Sequence, residues 1–437
     1  MEEWKEYKIG AIANFQKGFA FKSSEYTRTG TRIIKVSNLN QDKYSDKDCV
    51  FIDKEKALSY EKYRIVEGDI VISTVGSWPT NPESVVGKVS LIRSSLSGSL
   101  LNQNAVRLRV AEGMNQRFLY YLLMWSEFGN YITNTAQGSA NQASITLEDI
   151  RNFKFNCPNF YTQDKIVSIL KSLDDKIEVN RKINENLEQQ AQALFKSWFV
   201  DFEPFKNGEF VESELGMIPK GWRVGRYDEI IESTISGDWG KESPEGNYTH
   251  KVACIRGCDF QDIKNGLRGK TPERYILEKN FQTKHFKDKD VLVEISGGTA
   301  TVSTGRVCPV SQLLIDKFNE DIVCTNFCRL VRPKPSYGAY LYYSWLYKFN
   351  NKVMFGYENG TSGIKNFRIK DFTTLEPIVI PSESSLQLFQ SMIDKLQMKL
   401  QMNGSESQKL ASLRDTLLPK LMSGELKVNE IDKTYGL

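Results

Sequence analysis

Few side chains in this sequence could do covalent or metal chemistry, and their spacing decides how each is read. Cys254, Cys258, Cys324 and Cys328 form two C-x3-C pairs, and four thiolates at tetrahedral corners would hold zinc. Their flanks, VACIRGCDF and DIVCTNFCRL, read as strands, and an uncharged thiol is a common core residue, so all four are read as core cysteines. The chain has 2 histidines, His250 in NYTHKV and His285 in KHFKD. A Ser-His-Asp or Cys-His relay needs a histidine held between nucleophile and carboxylate; both of these read as surface residues. Asp290 and Glu294, near Lys289 in KDVLVEI, could chelate the divalent ion of a nuclease, but such clusters are usually solvated ion pairs. TNPES at residues 80–84 approaches the Asn-Pro-Pro-aromatic motif of adenine methyltransferases without its second proline or its aromatic. G-x-G-x-x-G after a strand, a phosphate loop ending in Gly-Lys-Ser/Thr, and H-E-x-x-H are all missing. The chain therefore reads as non-catalytic, without a metal or cofactor of its own.

What remains is binding, and composition limits its form. With 437 residues the chain is about three times the length of one domain, so two or more folding units are expected. A 40% hydrophobic and 26% charged composition excludes a disordered or collagen-like chain. The net charge of +4, from 58 Lys+Arg against 54 Asp+Glu, is too small to draw a polyanion by bulk charge. A nucleic-acid site must then be a local patch. No apolar run reaches the roughly 18 residues of a membrane span, and MEEWKEYKIG lacks the basic and apolar regions of a signal peptide. The odd number of cysteines, 7, suits a reducing compartment, so a cytoplasmic location away from membranes is expected.

The elements that must position any site occur twice. IKVSNL (34–39) matches IRGCDF (255–260), and GDIVI (68–72) matches KDVLV (289–293), a displacement of 221 (34 to 255). NAVRLR (104–109) answers NFCRLV (326–331), and FLYYL (118–122) answers YLYYS (340–344), displaced by 222 (104 to 326). Ala193, Leu194, Phe195 and Lys196 align with Thr416, Leu417, Leu418 and Pro419 at 223 (193 to 416). A repeat this long and this diverged indicates two copies of one fold with different surfaces. Each copy has short β-branched runs split by Gly, Ser, Asn and Asp, with one helix at FLYYLLMW or YLYYSWLY. That pattern reads as an α+β domain. Pro158 and Pro381 mark the exits, each a few residues before a helical pattern.

The helical patterns carry a seam. In the first, Ile166, Leu170, Leu173, Ile177, Asn180, Asn184, Leu187, Ala191, Leu194 and Trp198 step by four and three. Their counterparts are Phe389, Ile393, Leu396, Leu400, Asn403, Ser407, Leu410, Arg414, Leu417 and Leu421. A period of about 3.5 rather than 3.6, kept over about 50 Å, favours helices that pair with each other over stripes packing separately on their own domains. If a pseudo-twofold axis relates the copies, the helices run antiparallel and Asn180, Asn184, Asn403 and Ser407 meet at the crossing. Polar seam residues fix register at a cost in stability, so leucine at Asn180 and Asn184 is expected to raise thermal stability while loosening register. Gly404, in QMNGSES, is expected to kink or break the second helix.

Two diverged globular copies, each followed by a better-kept long helix, resemble the specificity (S) subunit of type I restriction-modification enzymes. Local sequences carry the resemblance: QGSANQASITLEDIRNFKFNCP and NGTSGIKNFRIKDFTTLEPIVIP at the domain exits, TQDKIVSILKSLDDKI and LEQQAQALFKSWFVDF in the first helix, and LRDTLLPKLMSGEL near the end. It covers nearly the whole chain, and SSLQLFQSMIDKL departs from it where Phe389 replaces the usual Ile. The resemblance implies an α+β architecture of two pseudo-twofold-related target-recognition domains, 1–158 and 204–382, joined by antiparallel conserved helices at 159–203 and 383–424, with a tail at 425–437. It implies that each domain reads one half of a bipartite, asymmetric double-stranded DNA target, with the helices as spacer. It also implies two methyltransferase (M) subunits supplying S-adenosylmethionine and, where the system cuts as well as modifies, two restriction (R) subunits using ATP with Mg.

Base readout needs fixed donors and acceptors on loops. In the first copy the expected contacts are Lys35 and Asn38 after IIKV, Ser77 and Trp78 in TVGSWP, Gln103 in LLNQN, and Ser139, Asn141 and Gln142 in QGSANQ. In the second they are Arg256, Thr299 and Thr301 in SGGTATV, Thr325 in VCTNF, and Thr361, Ser362 and Lys365 in NGTSGIK. The competing reading of these loops is that they are only turns; the chain would then be a scaffold holding partner proteins on a coiled coil. A nuclease with diverged carboxylates is the third class.

Overall fold

The computed structural model describes residues 4–39, 49–78, 86–139, 142–299, 301–360 and 365–430. It divides into two compact units, Met1–Asp175 with Ala411–Leu437, and Lys176–Leu410.

The first unit is built on a four-stranded antiparallel sheet in the order Ala13–Lys17, Ala105–Val110, Ile70–Ser73, Val89–Leu91. Every residue of Ile70–Ser73 is buried, which is why this strand reads as a continuous apolar run rather than an alternating one. Beside it lies a sheet in the order Tyr26–Thr27, Val50–Ile52, Thr31–Ile34, Leu100–Leu101, its last pair parallel. A small antiparallel sheet joins Gln137–Ser139, Gln142–Ser144 and Val75–Gly76. Strand Lys5–Lys8 closes against Lys154–Cys157.

The second unit repeats this plan. Its main sheet runs Ile231–Ser236, Cys328–Pro333, Val291–Glu294, Val307–Pro309. Tyr248–Ile255 pairs in parallel with Asp321–Cys324 and antiparallel with Glu273–Leu277, and a small sheet joins Glu358–Asn359, Lys365–Phe367 and Ser296–Gly297. Arg223–Arg226 closes against Pro377–Ile380. Even an internal ion pair is duplicated. Asp69 takes the Arg109 guanidinium and the Val66 N–H at 2.8 Å. Asp290 takes the Arg332 guanidinium at 2.9 and 2.8 Å and the Lys287 N–H at 2.8 Å.

Asp290 and Glu294 are therefore not solvated. Asp290 is buried against Arg332, and Glu294 is clamped by Arg306 at 2.8 and 2.6 Å. Each carboxylate is neutralised by an arginine of a neighbouring segment, the usual condition for burying a charge. Nor are the histidines free on the surface. The His250 ring nitrogens lie 2.6 Å from Glu278 and 2.8 Å from Asp321, with the ring stacked on Phe281, and His285 Nδ1 sits 3.0 Å from Phe281 O. Cys254, Cys324 and Cys328 are buried while Cys258 is exposed.

Two long helices accompany the sheets. Phe160–Phe199 follows Pro158 and is capped by Asn159, whose Oδ1 accepts the Thr162 N–H at 2.9 Å. Glu383–Ser423 follows Pro381 and stops at Gly424, which takes a φ of +74° that glycine adopts at little cost. The second helix is continuous through Gly404, against the expected break. The glycine is needed for close approach, because a Cβ there would lie 2.3 Å from Gly266 O and 2.5 Å from Gly266 Cα.

Seam positions point inward in both units. In the first, Ile166, Leu170, Leu173, Leu417 and Leu421 are buried, and Arg414 donates to Asp174 at 2.8 Å. In the second, Asn180, Asn184, Trp198, Phe389, Ile393, Leu400 and Asn403 are buried, while Ile177, Leu187, Leu194, Leu396 and Leu410 are half-buried. The Asn180 amide donates to Glu406 at 2.7 Å and to Ser407 at 3.3 Å. That of Asn184 donates to Leu400 O at 3.1 Å, and Asn403 donates to Asn184 Oδ1 at 2.9 Å. Trp198, Phe199 and Phe389 end in an aromatic cluster with Tyr340, Phe199 meeting Phe389 edge-on at 4.9 Å. Because the amides of Asn180 and Asn184 donate to groups of the other helix, leucine in their place would leave those acceptors without a partner and lower stability, contrary to the expected stabilisation.

Candidate nucleic-acid interface

Each copy builds one face by the same three steps. A strand of the parallel pair ends in a residue that caps a short 3-10 turn: Lys35 donates its N–H to Asn38 Oδ1 at 3.0 Å, and Arg256 donates its own to Asp259 Oδ2 at 2.9 Å. A backbone bond then ties that strand to the neighbouring turn, Asn102 N–H to Ile34 O and Thr325 N–H to Ile255 O, both at 3.0 Å. The turn is tied in its own right to the start of the small sheet, by Thr74 N–H to Asn104 O at 2.9 Å and Ile295 N–H to Phe327 O at 2.8 Å. Parallel pair, turn and small sheet thus deliver their loops to one place.

In the first unit this brings together Lys35, Gln103, Ser77, Trp78, Ser139 and Gln142. The Trp78 indole donates to Ser139 O at 2.8 Å, joining the loop after Val75–Gly76 to the hairpin. Gln103, Ser139 and Gln142 are exposed. Gly138 keeps that hairpin tight, since a Cβ there would meet Gln142 O at 2.0 Å. The Lys35 ammonium lies 5.6 Å from the Tyr26 ring centre, within cation–π range.

In the second unit the face comprises Arg256, Thr299, Thr301 and Lys365. The Arg256 guanidinium is held by Asp259 at 3.0 and 3.1 Å and by Lys270 O at 2.7 Å. Thr299 Oγ1 accepts the N–H groups of Thr301 and Val302 at 3.2 and 3.0 Å, folding an exposed turn. Lys365 donates to Glu358 at 2.8 Å. Burial pushes the Glu358 carboxyl up, but the Lys365 ammonium and bonds from Thr304 outweigh that and hold it below the usual range.

Two expected contacts are corrected. Asn38 and Thr325 are 1% and 2% exposed. Asn38 caps Lys35, and Thr325 Oγ1 accepts the Phe327 N–H at 3.3 Å, so both are occupied inside the fold. Asn141, Thr361 and Ser362, like TNPES, lie outside the described residues. Sequence reasoning also passed over Phe327, 59% exposed in the same turn. Lying between buried Thr325 and Cys328, it reads as a core position, and only the structure shows an aromatic ring placed to stack or wedge.

The side chains on the two faces differ although the backbone ties match. They offer amides, hydroxyls and held cations, the groups that read base edges and phosphates. Among the described residues no cluster is placed to hold a metal ion, and no helix is long and apolar enough to cross a membrane.

Comparison with known proteins agrees. A sequence model described as the type I restriction modification DNA specificity domain matches residues 1–189. The chain is 29% identical to the type I restriction enzyme MjaIX specificity subunit of Methanocaldococcus jannaschii, over 79% of this chain and 76% of that one. It is 26% identical to the type I restriction enzyme HindI specificity subunit of Haemophilus influenzae, over 98% of this chain and all 100% of the other. The crystal structure of the type I restriction-modification system S subunit from M. genitalium shares the fold, with a TM-score of 0.50 at 17% identity over 96% of each chain. A duplicated α+β plan, two unlike faces on matching ties, and relatives alike over most of their length make this chain similar in sequence and fold to type I restriction-modification specificity subunits.

Proposed function

We propose that the chain is the sequence-reading, non-catalytic subunit of a type I restriction-modification enzyme, reading a bipartite, asymmetric double-stranded DNA target. The observation that carries this is the doubled face: identical backbone ties present Lys35, Gln103, Ser77, Trp78, Ser139 and Gln142 in one copy and Arg256, Thr299, Thr301 and Lys365 in the other. Unlike side chains on like frames read unlike half-sites. The recognition domains are 1–158 and 204–382, and Asn141, Thr361 and Ser362 are further base-contact candidates from the sequence alone.

The helical segments 159–203 and 383–424 form the antiparallel spacer and carry two M subunits, with two R subunits where the system restricts. S-adenosylmethionine, ATP and Mg belong to those partners, and the work is cytoplasmic. The net charge of +4 suits a chain that shares phosphate neutralisation with its partners.

Lengthening the spacer tests the reading. Four residues inserted after Lys182 add about 6 Å of axial rise, and the gap between half-sites should widen by up to about two base pairs at roughly 3.4 Å each. An unchanged methylated motif would contradict the spacer role.

A further inference from the structure

One turn of the second domain is seated backbone to backbone on the second long helix. The short helix Phe260–Lys264 begins beside the Arg256 cap on the recognition face and ends at Asn265 and Gly266. Gly266 has a φ of +75°, and a Cβ there would meet Leu400 O at 2.8 Å and the Gly404 Cα at 3.1 Å. From the other side, a Cβ on Gly404 would strike the Gly266 backbone at 2.3 to 2.5 Å. Two glycines thus allow backbone to lie against backbone.

Polar groups then lock the seat. Asn184 donates to Asn265 O and to Leu400 O, both at 3.1 Å. Lys317 donates to Gly266 O, and to Gln401 Oε1 at 3.1 Å. Gln401 reaches Ile263 O at 3.5 Å. Asn184, Gln401 and Asn403 are all buried. Carbonyls of the turn are held by side chains from both long helices, so the turn can neither slide along them nor rotate away without orphaning buried groups. The repeat places Arg181 opposite Gly404, and Arg181 lies along its own helix against Glu178 and Glu185.

We propose that the Gly266–Gly404 seat is a positioning device that fixes the angle at which the second domain presents its recognition face from the helical spacer, and so sets which half-site spacing the complex accepts. Gly404, Gly266 and Asn184 are its positioning residues, and they act through Arg256 and its turn rather than by touching DNA. This rests on the specificity-subunit reading.

The test co-expresses each variant with the M partner and measures N6-adenine methylation across a DNA library. The library carries both half-sites at the native gap and at gaps one and two base pairs longer or shorter. Gly404→Ala, which favours the helix by itself, and Asn184→Ala, which adds no bulk, should each lower the native-to-shifted methylation ratio at least tenfold, with both half-site sequences unchanged. Gly356→Ala, where an added Cβ meets nothing within 4 Å, should leave the ratio alone. If Gly404→Ala does not fold, Asn184→Ala decides. Equal loss at every gap, or an unchanged ratio in the folded variants, would overturn the proposal. Absence of any two-part methylation with the unaltered chain would instead overturn the specificity reading itself, and the seat with it.

Discussion

Replacing Arg332 by methionine should unfold the second unit before the first. The Asp290 side chain is 0% exposed and that of Arg332 14%, so the pair sits where water cannot replace the lost partner. The substitution removes two charge-assisted bonds, at 2.9 and 2.8 Å, and leaves the carboxylate with the Lys287 N–H alone. Breaking one side of such a buried pair costs about 3–5 kcal/mol. At a urea slope of about 3 kcal/mol/M, that moves the unfolding midpoint down by roughly 1–1.7 M. The repeat supplies an internal control. Arg109, which pairs with Asp69, is 43% exposed, so solvent takes over part of its work and Arg109→Met should cost no more than about 2 kcal/mol. Urea titration followed by limited proteolysis resolves the units. Replacing both Asp290 and Arg332 by leucine should recover most of the loss, since a well-packed apolar pair often matches a buried ion pair. A larger shift for Arg109→Met than for Arg332→Met would refute the reasoning.

Four further outcomes follow from the same geometry. Burial pushes the Lys317 ammonium down to about 8 from its ordinary 10.5; between those values the unfolded chain binds more protons than the folded one, so stability of the second unit should rise with pH there, and a melt series on Lys317→Met should lose that rise. Burial holds the Cys254, Cys308 and Cys328 thiols up at about 12, so iodoacetamide at pH 8 followed by peptide mass mapping should label exposed Cys258 and spare these three until the protein is unfolded. Trp78→Ala frees the hairpin from the Ser139 bond and should relax methylation specificity in one half-site only. Thr325→Ala, which alters a buried group, should lower the melting temperature and leave the motif unchanged.

The duplication was readable in the sequence because matching strands keep their apolar residues at nearly constant displacement, and the sheet orders of the two units repeat accordingly. The seam was readable because a step of four and three puts Ile166, Leu170 and Leu173 on one side of a helix. Gly404 was misread because propensity describes an isolated helix, whereas the Gly266 backbone occupies the space where a Cβ would stand. Asn38 and Thr325 were misassigned for a related reason. An asparagine or threonine in a loop looks the same whether its oxygen faces solvent or caps the backbone, and only the fold decides. Phe327 shows the converse, an aromatic that alternation sends inward and the turn turns out. Asp290 and Glu294 looked solvated because their arginine partners, Arg332 and Arg306, are remote in sequence.

The most direct measurement is single-molecule sequencing of N6-methyladenine in a host that expresses this chain with its M partner, repeated with the second recognition domain replaced by that of another specificity subunit. A two-part motif that requires this chain, and whose second half alone changes with the exchanged domain, is the result expected. Methylation that persists without this chain, or both halves changing together, would contradict the assignment of one half-site to each domain.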